Sequence, residues 1–149
     1  MDYQLLRDEI DNDPIAIGYS AYLPSAPGSV VDLLNAYTQT KIKPITSSTA
    51  MAWAAAGPYS NIVDASNDLA HLARASCLVI REVFASGQVI HMELPDITGM
   101  FAAWVAAGVI TQTQHDELIT IATQPASRAE VLGLDRLTEA DLRTALELP

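Results

Sequence analysis

The sequence predicts an all-α fold, on three observations. Apolar residues recur at helical spacing along most of the chain, capping residues stand where those stretches begin, and glycine or proline stands where they end. At 149 residues the chain suits one compact helical domain, 1–149, able to bury an ordinary core without disulfides or metal. Half of the residues are hydrophobic and 17% are charged, far from the composition of disordered chains. So few charges leave apolar surface that neighbouring subunits are suited to cover.

Taken in order, residues 2–11 form a short amphipathic helix with Tyr3, Leu6 and Ile10 on one side, stopped by Asn-Asp-Pro at 12–14. Pro14 to Gly28 is a loop that holds Ile15, Ile17, Tyr19, Tyr22 and Leu23, enough apolar weight to lie over a surface. Ser29 as N-cap, with Val30, Leu33, Leu34 and Tyr37, predicts a helix to about Gln39. Lys41 to Ile45 reads as extended, and Ala50 to Ala56 as a short helix ended by Gly57-Pro58.

The strongest stretch is Asn61 to Ser86, capped by Ser60 and closed by Gly87; it predicts one long central helix. Residues 75–80 are apolar nearly all round, which suits packing on more than one side. After a link at Val89 to Glu93, Pro95 starts a helix that runs from Asp96 to Ala107. Thr111 with Gln114 makes a capping box for a helix to about Thr123. A C-terminal pair of short helices follows, one from Pro125 to Gly133 and one capped by Thr138 with Asp141 and reaching about Glu147. The total is about seven helices, several of them short.

Eighteen acids against eight bases give a formal charge of −10, a sign that opposes phosphate backbones and anionic lipid. In the last 25 residues, SRAEVLGL and LTEADLRTAL form two short helices that superficially resemble a helix-turn-helix, but Arg128, Arg136 and Arg143 are outnumbered by nearby acids. A helical hairpin that packs or docks is the better reading, so no nucleic-acid partner is expected. The acidic start MDYQLLRDEIDND is unlike a secretory signal. The uncharged segments 44–63 and 97–114 are broken or short for a membrane span, so no membrane partner is expected either. Cys77, in an apolar run, reads as a small core hydrophobe.

Motifs for chemistry are sparse. Asp64, Asp68 and His71 share a helix face, yet no second Glu-x-x-His accompanies them as in a di-iron bundle. Acids there suit the helix dipole. His71, His91 and His115 fit neither zinc-finger nor HExxH spacing, no GxSxG elbow is present, and the seven glycines form no phosphate loop. The sequence therefore predicts no catalytic, cofactor-binding or metal-binding residues, no cofactor and no small-molecule substrate.

The remaining candidates are residues of contact. Met100, Phe101 and Trp104, with Ile97, form one stripe of the helix after Pro95, and Gly99, Ala103 and Ala107 form a second stripe of small residues. With Trp53, the residues Gly99, Met100, Phe101, Ala103 and Trp104 make a candidate interface, since buried aromatic anchors dominate binding energy. Core packing is the alternative reading for the same large side chains.

At both ends the chain resembles a group of small, uncharacterised tailed-phage proteins. LRDEIDNDP followed by Gly18-Tyr19 is similar to their opening, and PASRAEVLGL followed by LTEADLRTAL to their ending, together about a third of the chain. The resemblance implies a phage-encoded protein of the virion. The expected function is a non-enzymatic structural or accessory component of the tail or head-tail region, in an oligomeric assembly with other virion proteins. Two alternatives are a small cytoplasmic regulatory adaptor that binds a host protein, and a hydrolase whose site is assembled from distant residues.

Overall fold

The computed structural model describes residues 1–148 and is mainly helical. Its helices are α1 (Tyr3–Asn12), α2 (Pro27–Asn35), α3 (Ser47–Ala55), α4 (Tyr59–Asn67), α5 (Arg74–Ser86), α6 (Pro95–Ala106), α7 (Gln112–Ala122), α8 (Arg128–Leu132) and α9 (Glu139–Leu146). A single 3-10 turn spans Tyr19–Ala21. The strands β1 (Gln39–Ile42), β2 (Ile45–Thr46), β3 (Val89–Ile90) and β4 (Thr123–Ala126) are short; β1 pairs with β4, and β2 with β3. The described chain divides into two compact units, one of Met1–Lys41 with the residues from Pro125 onward, the other of Ile42–Gln124.

In the first unit, α1 packs on α9, and α2 on α8 and α9, around Leu6, Ile10, Tyr19, Val30, Leu34 and Leu142. Helix α1 begins where the Asp2 carboxylate accepts the Leu5 N–H, and it stops at Asp13, which has a left-handed backbone. Asp13 then folds the following loop back: its two carboxylate oxygens accept the N–H groups of Ile17 at 2.7 Å and Gly18 at 2.6 Å. That turn delivers Tyr19 fully into the core. Helix α2 starts two residues before the predicted Ser29 cap, because Pro27 holds the first helical position with its φ already set. It also ends earlier than Gln39. Asn35 is committed to the Leu137 backbone, donating to the carbonyl and accepting the N–H, and Ala36 is extended. Helix α8 starts at Arg128 rather than Pro125, since Ser127 and Glu130 form a capping box.

The second unit departs from the predicted long helix. Asn61 to Ser86 is broken into α4 and α5, with Asp68 extended at the break. Polar side chains explain it: the Asp68 carboxylate accepts the Ala70 N–H at 2.9 Å, and His71 Nδ1 accepts the Ala73 N–H at 3.1 Å. Such local bonds offer the backbone an alternative to the helical ladder. Helix α4 packs on α5, and Ile62, Ala65, Cys77 and Ile80 join one core with Trp53, Phe101 and Trp104. The Thr46 hydroxyl accepts the Thr49 N–H, so α3 begins three residues before the alanine run. At the far end of α5, Gly87 takes φ 73°, the left-handed C-cap that glycine reaches without strain.

Cys77 is fully buried, and burial pushes its thiol up to about 11. Native protein at neutral pH should therefore resist a thiol-specific alkylating reagent for hours and react at once in denaturant. Rapid labelling of the native protein, followed by mass spectrometry, would contradict this placement.

Candidate functional site

The candidate interface residues split into two groups. Phe101 and Trp104 are buried on the inner side of α6, and Trp53 on α3 meets them. The rings are edge-on: Trp53 to Phe101 at 6.1 Å, and Phe101 to Trp104 at 5.1 Å. Both indole N–H groups are satisfied, Trp53 Nε1 donating to the Gln114 carbonyl at 3.0 Å and Trp104 Nε1 to Ser76 Oγ at 2.8 Å. These three rings form the second unit's core.

Gly99 and Ala103 lie on the other side of α6, exposed, while Met100 and Ala107 are half-buried. A Cβ added at Gly99 would meet nothing within 4 Å. The small-residue stripe therefore has open space above it, where the sequence predicts a covering helix from this subunit or another. Beside it runs a groove of about 260 Å³, lined by Leu72 from the segment before α5, Ser76 from α5, Met100 and Ala103 from α6, and Ala107 at its C-cap.

Leu72 on this groove and Leu69 near it in sequence are both exposed, and sequence reasoning missed both. Leu69 is 84% exposed and Leu72 is 95% exposed; both lie in the 68–73 break. Read as part of one long helix, they look like ordinary core positions. The available signal was Asn67-Asp68, residues whose side chains compete with helical backbone bonds.

Asp64, Asp68 and His71 line a shallow depression of about 290 Å³ with Asn61 and Val109. Asp68 and His71 are occupied with the backbone turns described above. Among the described residues, no group of three or more His, Cys, Asp or Glu is arranged to hold a metal ion.

The most buried charge of the first unit is Glu9, 4% exposed. Arg128 grips it bidentately, Nε to Oε1 at 2.8 Å and Nη2 to Oε2 at 2.7 Å, and the Tyr19 hydroxyl donates to Oε1 at 3.1 Å. Burial first, and then the Glu9 charge, raise the Tyr19 phenol above its ordinary range. A neighbouring cation, Arg7, donates from Nε to the Ala145 carbonyl at 2.6 Å, closing the end of α9. The residues of LRDEIDNDP, Gly18-Tyr19 and PASRAEVLGL thus converge on one hydrogen-bonded cluster. Its groups are satisfied by one another, as in a structural clasp.

Among the described residues, no helix is long and apolar enough to cross a membrane. No family model, curated protein or solved structure matches this chain.

Proposed function

We propose that this protein is a non-enzymatic structural or accessory component of a tailed-phage particle, in the tail or head-tail region, working by protein–protein contact in an oligomeric assembly. The observation that carries the contact role is the uncovered apolar surface of the second unit: Leu72 shares a groove with Met100 and Ala103, and Leu69 in the same break is also exposed. Isolated exposed leucines are ordinary, but a contiguous apolar face beside a groove marks a docking surface. At the start of α5, Arg74 Nε is buried with no hydrogen-bond partner among the described residues. The phage assignment rests on the resemblance of the two terminal segments.

Leu72→Asp tests the reading. The side chain is almost wholly exposed, so the substitution should move folding stability by no more than about 0.5 kcal/mol. Placed in the phage genome, it should remove the protein from purified particles, as counted by quantitative mass spectrometry against the major tail and head proteins. Absence of the unsubstituted protein from purified particles would reject the virion role and favour the cytoplasmic adaptor. Normal incorporation of Leu72→Asp would reject this face as the contact.

A further inference from the structure

A second groove, of about 520 Å³, lies between the end of α3 and the outer side of α7. Trp53 and Ala56 contribute from α3, and Asp116, Glu117, Thr120 and Ile121 from α7. Its size is that of a site for a large side chain or a short segment. The position of α3 against α7 is tightly set. Trp53 Nε1 bonds the Gln114 carbonyl, and a Cβ at Gly57 would stand 2.8 Å from Gln114 Nε2. The Gln114 carboxamide is itself held in the capping box of α7.

The groove combines an apolar body with negative charge of three origins. Asp116 is held ionised chiefly by the Gln112 carboxamide and then by His115, which lower its pKa below the usual carboxylate value. Both partners address Oδ1; Oδ2 has no hydrogen bond among the described residues. Glu117, next to it, makes no hydrogen bond or ion pair among the described residues. The C-terminal end of α3, at Ala56, adds the negative end of a helix dipole. No basic side chain lines the groove.

We propose that this groove takes a segment of a partner protein that presents a large apolar side chain next to lysine or arginine. The apolar side chain would lie along Trp53, Ala56 and Ile121. The cation would reach Asp116 and Glu117, and an acidic segment would be repelled by the same pair. This surface is separate from the Leu69 and Leu72 face, so either docking role can fail without the other.

The test uses the full chain, labelled with 15N, and two capped octapeptides that share one frame. One carries a central Leu-Arg-Lys-Leu and the other Leu-Glu-Glu-Leu. The basic peptide should shift the Trp53 indole N–H signal and the amides of residues 116–121, leaving the Trp104 indole signal in place. Raising salt should weaken the response. Asp116→Asn with Glu117→Gln should weaken binding about tenfold; Glu117→Gln alone should do so by a smaller factor, and it leaves the Gln112 contact intact. Equal responses to the two peptides, none at millimolar peptide, or unchanged affinity in both variants would overturn the proposal. So would shifts of the same signals on raising protein concentration alone, which would identify a second copy of this chain as the occupant.

Discussion

Glu9→Ala is expected to destabilise the first unit by about 3–5 kcal/mol, because it strands the Arg128 guanidinium in the interior without its carboxylate. The bidentate geometry and the additional Tyr19 hydroxyl make Glu9 the residue on which three groups depend. Arg128→Leu should cost a similar amount, since it leaves the Glu9 carboxylate desolvated and answered by Tyr19 alone. The double variant Glu9→Ala with Arg128→Leu should then lose much less than the sum, the mark of a coupled pair. Tyr19→Phe removes only one hydrogen bond and should cost about 1 kcal/mol. Urea unfolding monitored by circular dichroism measures all four. If Glu9→Ala shifted stability by less than about 0.5 kcal/mol, the pair would be decorative and the clasp reading would fail.

The second large effect separates the two sides of α6. Phe101→Ala should cost about 3–5 kcal/mol, since it opens a cavity between Trp53 and Trp104 in a core that can close only partly. Ala103→Lys, two residues away, should change stability by no more than about 0.5 kcal/mol, because its side chain enters open space. The same lysine should abolish whatever assembly this face supports. Melting temperature and solution mass, taken together on both variants, distinguish inner side from outer side. A collapse of melting temperature in Ala103→Lys would mean that the outer stripe is covered after all.

How far residues reveal structure is clearest in the helix starts. Thr111 with Gln114, Thr138 with Asp141, and Pro95 at a first helical position all act as their residue types predict. These signals are local: the side chain that identifies the cap also makes the bond. The failures share the opposite property. Asn35 ends α2 by bonding Leu137, 102 residues away, and nothing near Asn35 announces that partner. The 61–86 helix failed because its apolar periodicity continues through Asp68 and His71, whose side chains nevertheless take backbone donors and turn the chain. For the candidate interface, composition identified the heavy residues but not their direction. Phe101, Trp104 and Trp53 face inward, Gly99 and Ala103 outward, and the exposed leucines come from a break that periodicity does not show. The Glu9 and Arg128 pair was out of reach for the same reason, its members being 119 positions apart.

The division of the chain between the two units also sets an order of events during synthesis. Ile42–Gln124 is one uninterrupted stretch, so every partner in its core is synthesised before α8 and α9 are. The other unit has no such independence. Helix α1 is made before the Ile42–Gln124 stretch, yet Arg128, which neutralises Glu9, and Leu142, which packs in its core, are made after it. Until then the nascent chain carries an acidic, half-apolar α1 without its native partners. Closing so long a loop is costly in chain entropy, and early collapse of the intervening residues shortens the effective loop. Folding should therefore begin in Ile42–Gln124, with α1 and α9 joining last. Synthesis of α8 and α9, rather than of α1, is then the event that completes this unit.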